Sequence, residues 1–231
     1  MQVIILAAGR GKRLRPLTDV TPKPLIMVRG KSILERTLAV LPDVIDEVIV
    51  VVSYLGDQVR ERFGDRHNDR PIRYVNQGEL AGTAGALWAA KELLRPEKFL
   101  VLNGDDLYRR EDLERLLGED LALGVHHTRR IAIGTLGVAR EENGNFSGIG
   151  YASETELWQG VPVITGAYIL DHRFFTYKPF KIENAEYGLP HTIAAMAGDH
   201  AIRVVPMDFW HPINTHEHLK LAEELLQETE G

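Results

Sequence analysis

The first half of the chain predicts an α/β fold with a doubly wound, mostly parallel sheet, and two observations support this. Short apolar runs, at residues 3–6 and 47–53 for example, indicate strands that are buried on both faces. Helical patterns alternate with these runs, which is typical of parallel sheets covered by helices. Ligands bind such sheets at the carboxyl ends of the strands, so we expect the functional residues there.

The remaining elements of the first half follow in order. Ser32 and Glu35 have the spacing of a capping box, which predicts a helix that runs to about residue 41. Thr83 is the predicted N-cap of a helix that runs to about residue 94. The other predicted elements are a helix at 55–63 and strands at 47–53, 72–76 and 99–102.

Strands dominate the second half of the sequence. A turn at 142–145, with the sequence Glu-Asn-Gly-Asn, predicts a hairpin. No linker-like composition separates residues 1–120 from 121–231, so we treat 1–231 as a single domain. The predicted elements are strands at 121–126, 134–139, 146–151, 163–170 and 201–206 and helices at 187–197 and 215–228.

Composition excludes several classes of function. The net charge of −6 argues against a nucleic-acid-binding protein, which would normally be basic. The apolar runs are far shorter than the ~20 residues that span a bilayer, so we expect no membrane association. The chain has no cysteine, which excludes disulfides and thiolate metal sites and fits a cytoplasmic location.

Positive charge is concentrated in the loop that follows the first strand. Gly9 and Gly11 remove side-chain bulk there, so that backbone N–H groups can approach a ligand closely, as a phosphate demands. A single acid, Asp19, lies among the cations, and we interpret the loop as a polyphosphate site. The cations between residues 10 and 31 are Arg10, Lys12, Arg13, Arg15, Lys23, Arg29 and Lys31.

Three other interpretations of this loop are weaker. A dinucleotide-binding G-x-G-x-x-G turn would need glycine at Leu14 and an acid near Arg29. A P-loop ending at residues 30–32 would need glycine at Leu25. An ordinary glycine-rich turn with solvated basic residues does not usually carry this many cations.

The run from Leu6 to Leu17, LAAGRGKRLRPL, followed by the sequence PKPL at 22–25, resembles the signature of the sugar-1-phosphate nucleotidyltransferases. Lys12 replaces the threonine of that signature. The resemblance implies a Rossmann-like nucleotidyltransferase fold in which residues 1–120 bind the nucleotide. It also implies that 121–231 form a mixed-strand lobe for the sugar phosphate, with the last helix.

The same resemblance implies a set of nucleotide-binding residues. Gln77 with Gly82 and Thr83 matches the base-reading element of the uridylyl- and thymidylyl-transferring branch. A glutamine amide offers a donor and an acceptor, which suits the imide edge of uracil or thymine. Glycine at residue 82 lets the base lie against the backbone. The alternative is a loop glutamine before an ordinary helix N-cap. The implied residues are Leu6, Ala7, Ala8, Gly9, Gly11, Lys12, Arg13, Gln77, Gly82 and Thr83.

Arg13, Lys23 and Asp105 are the implied catalytic residues. In the family, an aspartate after a glycine at the end of a strand binds Mg²⁺, which prefers hard oxygen ligands, and Asp105 follows Gly104. Asp106 is the adjacent acid. Taken alone, an aspartate after a strand is also a common turn or cap residue.

Asn214 is the implied second magnesium ligand. Many relatives carry W-x-D-x-G-T near the carboxyl terminus, but Pro212 occupies the position of that aspartate here. Asn214 follows Ile213 as an asparagine ligand does in bacterial N-acetylglucosamine-1-phosphate uridylyltransferases; alternatively, it caps the last helix. The histidines at 211, 216 and 218 match no zinc pattern.

The acceptor side departs most from the family pattern. Residues 151–153, Tyr-Ala-Ser, stand where many relatives have Glu-Lys-Pro, which leaves open the identity of the sugar and whether the acceptor is a sugar. The strand at 163–170 resembles one that lines the sugar pocket, although its residues could equally be core. The implied sugar-phosphate-binding residues are Lys23, Gly137, Tyr151, Ile164 and Thr165.

The resemblance therefore predicts a Mg²⁺-assisted transfer of a nucleotidyl group, from UTP or dTTP in preference, to a sugar 1-phosphate. The alternatives are a cytidylyl- or guanylyltransferase with another acceptor, such as phosphocholine, a polyol phosphate, or mannose or heptose 1-phosphate. A non-catalytic module that binds nucleotide sugars is a third hypothesis. The sequence leaves open whether the protein is a homo-oligomer.

Overall fold

The structure is a computed structural model that describes residues 1–129, 137–153, 156, 160–183 and 185–230. The strands are β1 (Gln2–Leu6), β2 (Met27–Val28), β3 (Lys31–Ser32), β4 (Glu47–Val52), β5 (Arg66–His67), β6 (Arg70–Asn76), β7 (Phe99–Asn103), β8 (Asp106–Tyr108), β9 (Ala122–Thr128), β10 (Val138–Glu142), β11 (Asn145–Gly150), β12 (Val161–Leu170), β13 (Arg203–Pro206) and β14 (Trp210–Pro212). The helices are α1 (Leu17–Val20), α2 (Ile33–Ala39), α3 (Gly56–Phe63), α4 (Thr83–Ala89), α5 (Arg110–Leu117), α6 (Leu189–Met196) and α7 (His216–Glu230).

One large sheet runs through both halves of the chain. Its first part is parallel, in the order β6, β4, β1, β7, and Val3 of β1 pairs with Val48 and Leu100 on either side. Beyond β7 the order is β12, β9, β13, β11, β10, and these neighbours pair antiparallel except for β13 with β9. The predicted parallel sheet with a mixed-strand second part is confirmed.

Helices cover the sheet on both faces, because alternate residues of β1 point to opposite sides. Val3 and Ile5 pack in the core beneath α2, α3 and α5, whereas Ile4 and Leu6 pack in the core beneath α4 and α6. The fold is therefore doubly wound, as predicted. None of the helices in the described ranges is long and apolar enough to cross a membrane.

A third, smaller core joins the amino-terminal loop to the carboxyl-terminal helix. Leu14 of the loop, Leu107 of β8 and Ile213 after β14 are fully or almost fully buried in it. Ala222 of α7 packs there as well. This cluster fixes the basic loop beside the segment that carries Asn214.

Two local predictions are confirmed in detail. Ser32 caps α2, since its hydroxyl accepts from Glu35 N at 3.2 Å and the Glu35 carboxylate accepts from Ser32 N at 2.6 Å. The two-residue turn between β10 and β11 has positive φ at Asn143 and Gly144, at 51° and 78°. That geometry is the favoured one for a tight hairpin.

Several predicted boundaries are wrong. Gly82, not Thr83, is the N-cap of α4, and that helix ends at Ala89 before a 3-10 turn. Helix α6 starts at Leu189 rather than 187, after the N-cap Gly188. The prediction of a strand at 134–139 falls partly outside the described residues, and β10 begins at Val138.

Candidate active site

A cavity of about 630 Å³ opens at the carboxyl ends of the parallel strands. The first residues after β1, β4, β6 and β7 all reach it, because parallel strands end at the same edge of the sheet. It brings together many of the residues that the sequence singled out. These are Leu6, Ala7, Ala8, Gly9, Gly11, Lys12, Arg13, Lys23, Gln77, Gly82, Thr83, Asp105 and Asn214.

Two glycines shape the loop after β1 in different ways. Gly11 has a left-handed backbone with φ of 62°, and a Cβ there would lie 2.8 Å from Thr18 Cγ2. The Thr18 hydroxyl also donates to Gly11 O at 2.9 Å, so the turn is closely packed. A Cβ at Gly9 would meet no protein atom within 4 Å, so its missing side chain leaves room in the cavity itself.

The basic loop supplies the positive charge of the cavity. Arg10, Lys12, Arg13 and Lys23 all line it. The Arg10 guanidinium lies over the ring of Tyr54, 5.5 Å from its centroid. Such a concentration of cations on backbone with little side-chain bulk can hold a polyphosphate.

Lys23 connects the basic loop to the two candidate metal ligands. Its ammonium donates to Asp105 Oδ2 and, at 3.0 Å, to Asn214 Oδ1. Arg13 Nη2 donates to the same Asn214 oxygen at 3.2 Å. Lys23 is only 6% exposed, whereas Arg13 is exposed. The residues that the resemblance implies for catalysis therefore form one connected cluster.

A short antiparallel ladder brings Asp105 and Asn214 together, although they are far apart in sequence. Strands β8 and β14 pair Asp106 with Pro212, so the residues just outside the ladder are neighbours. Ile213 N also donates to Asp105 O at 2.9 Å. Backbone pairing therefore sets the relative position of the two side chains.

The neighbouring acid, Asp106, has a different environment. It is 2% exposed, does not line the cavity, and accepts from Asn103 Nδ2 at 3.3 Å. Burial and the nearby charge of Asp105 raise the pKa of the Asp106 carboxyl well above its usual value. Asp105 is one-third exposed, and it is the carboxylate of this pair that reaches the cavity.

Asp105 and Asn214 suit a hard divalent cation. One carboxylate and one amide oxygen converge on the same ammonium, so they lie close enough to share an ion. Mg²⁺ is commonly held by one or two carboxylates together with water and substrate phosphates. Within the described ranges, no group of three or more acidic, histidine or cysteine side chains converges in a metal-binding arrangement.

The candidate base-binding loop is held by Gln77. Its Nε2 donates to Leu80 O at 2.8 Å and to Gly82 O at 2.9 Å, which uses both amide hydrogens. Gln77 can therefore offer a ligand only its acceptor oxygen, and not the donor–acceptor pair expected from the sequence.

A segment from the second half closes over this loop. Tyr187 N donates to Ala81 O at 2.8 Å, and Ala84 N donates to Tyr187 O at 2.9 Å. A Cβ at Gly82, where φ is 92°, would lie 2.6 Å from Tyr187 N and O. Glycine is therefore required at residue 82 for protein packing, whereas the sequence suggested only room for a base.

The sequence did not predict that the segment before α6 forms part of the cavity lining. Ile182, Glu186, Tyr187 and Gly188 line the cavity, and the sequence assigned Tyr187 to a helix. Thr83 belongs to the same junction, since its hydroxyl accepts from Leu189 N at 2.9 Å. Only the tertiary pairing reveals this role, because Tyr187 makes these contacts through backbone groups.

The predicted acceptor residues in the second half do not line the cavity. Thr165 is fully buried and its hydroxyl donates to Gly124 O at 2.9 Å. Ile164 is 9% exposed and donates its N–H to Gly137 O, while Tyr151 is 70% exposed. A role for these residues in acceptor binding stays a prediction.

The histidines near the carboxyl terminus bind backbone groups. His211 Nε2 donates to His218 O at 2.7 Å, and His216 Nε2 donates to Arg15 O at 2.9 Å. Burial lowers the pKa of His211 and of His218. His218 Nδ1 accepts from Asn214 N at 3.4 Å. These contacts support the segment around Asn214.

Residues 2–146 match the family model described as nucleotidyl transferase. The chain belongs to this family. The resemblance to sugar-1-phosphate nucleotidyltransferases is thereby confirmed. The match spans β1 to the start of β11 and includes the basic loop, Gln77 and Asp105, but it does not extend to Asn214.

Named relatives resemble the chain in sequence, and a solved structure shares its fold. The chain is 38% identical over 129 residues, 56% of its length, to the bifunctional protein GlmU of Methanocaldococcus jannaschii. It is 41% identical over 111 residues, 46% of its length, to the N-acetylmuramate alpha-1-phosphate uridylyltransferase of Neisseria meningitidis serogroup B. The inositol-1-phosphate CTP transferase of T. maritima shares the fold, with a TM-score of 0.78 at 22% identity over 100% of this chain and 96% of that one.

The matched residues span only 30% of the GlmU chain and 48% of the Neisseria protein. The likeness to both is therefore confined to part of each protein, and the activity of this chain is a separate question.

Proposed function

We propose that this nucleotidyl transferase family member transfers a nucleotidyl group from a nucleoside triphosphate, UTP or dTTP in preference, to a sugar 1-phosphate. The observation that supports this most directly is the cluster of Arg13, Lys23, Asp105 and Asn214. It lines the same cavity as the loop that carries Gln77 and Gly82. A phosphate-binding cluster and a candidate base-binding loop thus share one volume.

The reaction needs no general base. An oxygen of the acceptor phosphate, already anionic, forms a bond to the α-phosphorus, and the bond from that phosphorus to the bridging oxygen breaks. The bonding electrons leave with pyrophosphate. The barrier comes from bringing two polyanions together, so positioning and electrostatic stabilisation are the expected sources of catalysis.

Each cation of the cluster has a place in this scheme. Arg13 is exposed at the cavity and has a planar fork of donors that suits the leaving phosphates. Lys12 adds a second exposed cation from the same turn. Lys23 reaches the cluster from the opposite end of the loop and contacts phosphoryl oxygens. Mg²⁺ bound by Asp105 and Asn214 would neutralise charge on the phosphates.

The base is read by the acceptor oxygen of Gln77. Since both of its amide hydrogens hold the loop, Oε1 faces a base that must donate. The N3–H of uracil or thymine satisfies this requirement. A triphosphate substrate also agrees with the cytoplasmic location predicted from the absence of cysteine.

Cytidylyl transfer to another phosphorylated acceptor is the second candidate. The 4-amino group of cytosine would also donate to Gln77 Oε1, and the family's Glu-Lys-Pro is absent from 151–153. This reading keeps the phosphate chemistry unchanged and alters the base and the acceptor.

A pyrophosphate-release assay across a panel of substrates distinguishes these functions. The triphosphates are UTP, dTTP, CTP, GTP and ATP; the acceptors are glucose, N-acetylglucosamine and N-acetylmuramate 1-phosphates, inositol 1-phosphate and phosphocholine. We expect the fastest release with UTP or dTTP and a sugar 1-phosphate. Release only with CTP and a non-sugar acceptor favours the second candidate. Tight UTP binding without turnover on any acceptor identifies a non-catalytic module.

A further inference from the structure

The Lys23 ammonium stands at the point where the two candidate metal ligands converge. It donates to Asp105 Oδ2 and to Asn214 Oδ1, the same oxygens that would coordinate an ion. Lys23 itself is 6% exposed, whereas Asp105 is one-third exposed at the cavity. The lysine therefore already satisfies both acceptor oxygens with a positive charge.

A divalent cation would compete with this ammonium for the same two oxygens. Each needs lone pairs of the same carboxylate and amide oxygens, and two positive charges at contact distance repel strongly where water is scarce. Without any cation, the carboxylate would be buried in part with no partner, which is costly. The position between Asp105 and Asn214 therefore favours either the ammonium or the ion, whereas Arg13 approaches Asn214 from the exposed side.

We propose that Lys23 is the placeholder cation of this site: it holds Asp105 and Asn214 together until a divalent ion displaces it. The displaced ammonium is then released into the cavity, where a bound phosphate is its natural partner. The proposal rests on the proposed function in taking Asp105 and Asn214 as ligands. It adds that ion binding and the contact of Lys23 with phosphate are coupled.

Arg13 provides a matched comparison within the same cluster. Its guanidinium reaches Asn214 Oδ1 at 3.2 Å but is exposed, and its bond in the cluster is to the amide rather than to the carboxylate. Removing Arg13 takes away one positive charge near the ion without vacating the position between the ligands. Replacing Lys23 and replacing Arg13 therefore distinguish competition for the ligand oxygens from a general loss of positive charge near the ion.

The first test measures Mn²⁺ binding by electron paramagnetic resonance in the absence of nucleotide. Lys23→Met should bind Mn²⁺ at least about tenfold more tightly than the unsubstituted chain, because the competing charge is gone. Arg13→Met should change the affinity by less than about threefold, because exposed charges are screened. Unchanged or weaker binding by Lys23→Met contradicts the proposal. An equal gain in both variants also contradicts it.

The second test does not depend on Lys23→Met, and its only variant, Lys23→Arg, keeps the positive charge. In a ¹⁵N spectrum of lysine ammonium groups, the metal-free chain should show a slowly exchanging Lys23 signal, assigned by its loss in Lys23→Arg. Saturating Mg²⁺ should shift that signal or abolish its protection. A signal that stays unchanged while Mg²⁺ is bound overturns the proposal, even if Lys23→Met fails to fold.

A separate variant distinguishes this proposal from the proposed function. Asp105→Asn should bind Mn²⁺ much more weakly; if it binds as the unsubstituted chain does, the ion is elsewhere and the metal site of the proposed function fails. If Asp105→Asn loses the ion but Lys23→Met gains no affinity, only the placeholder role fails. Both outcomes are measured as Mn²⁺ binding, so neither depends on catalytic turnover.

Discussion

The two halves of the molecule contribute to the cavity in different ways. In the first half, residues such as Gly11, Gln77 and Asp105 lie directly after strands or in the loop after β1, so their meeting follows from the parallel sheet. In the second half, Tyr187 and Asn214 reach the cavity from segments placed by pairing with the first half. The contribution of the first half can be predicted from local sequence motifs, whereas that of the second half depends on tertiary contacts.

This difference shows that some motif residues have one structural role, whereas others have two. The sequence explained Gly82 by the space that a base needs, yet backbone atoms of Tyr187 lie only 2.6 Å from the position that a Cβ would take. It explained Gln77 by a donor and an acceptor, yet the donor holds the loop. Residues at the junction of the halves serve the fold and the candidate site together.

Replacing Arg13 tests the first half most severely. We expect Arg13→Ala to lower kcat/KM by about 10²–10³, the usual cost of removing one preorganised charged donor, with the fold intact. Steady-state pyrophosphate release measures the rate, and circular dichroism checks the fold.

Arg15→Ala is the matched control for that variant. Arg15 belongs to the same loop, but its side chain is 61% exposed and pairs with Asp19 at 3.0 Å outside the cavity. The kcat/KM of Arg15→Ala should stay within about twofold of that of the unsubstituted chain, because exposed ion pairs contribute little. Equal losses in both variants would mean that the loop acts only through its total charge.

Gly82→Ala tests the junction between the halves. The added methyl must displace Tyr187 backbone atoms 2.6 Å away, and φ of 92° disfavours any side chain. We expect a loss of about 1–3 kcal/mol in unfolding free energy and a rise in KM for the triphosphate. Denaturant unfolding and initial rates measure the two effects.

Gly78→Ala is the stability control in the same loop, because an added Cβ there meets nothing within 4 Å. It should unfold at nearly the same denaturant concentration as the unsubstituted chain. If Gly82→Ala is as stable as this control, the two halves do not depend on each other at residue 82.

Thr165→Val sharpens the account of the second half. The buried hydroxyl donates to Gly124 O, so its removal takes this donor away from a buried carbonyl and should cost about 1–3 kcal/mol of unfolding free energy. The KM for the acceptor should stay unchanged, leaving only the backbone of Thr165 for any acceptor contact. A selective rise in that KM would instead place the side chain in the acceptor site.

Ser32→Ala tests the local character of the first half with the smallest expected effect. The capping box of α2 is complete, so loss of the hydroxyl should lower the unfolding free energy by about 1 kcal/mol. The kinetic constants should not change, because Ser32 does not line the cavity. A kinetic effect would show that α2 positions the basic loop more tightly than its cap implies.

Much of the fold was predictable because its signals are local. Short apolar runs predicted the parallel strands, the spacing of Ser32 and Glu35 predicted the capping box, and the turn residues predicted the hairpin at Asn143. Helix ends were less predictable: Gly82 and Gly188 act as N-caps without a side chain, so neither gave the usual cap signal.

The candidate site was predictable where one motif carried several residues, as in the basic loop. The place of Tyr187 in the cavity lining was not predictable, because it is fixed by backbone hydrogen bonds that any residue type could form. The acceptor residues show the opposite problem. Thr165 fits a family pattern at a position where burial and the bond to Gly124 also explain it.

The most direct test of the central claim is a crystal structure of the chain with Mg²⁺ and a non-hydrolysable UTP analogue. The account predicts the ion on Asp105 and Asn214, with the phosphates between it and Arg13 and the base against the loop at Gln77. A triphosphate bound away from Arg13, or an ion that contacts neither Asp105 nor Asn214, would contradict it.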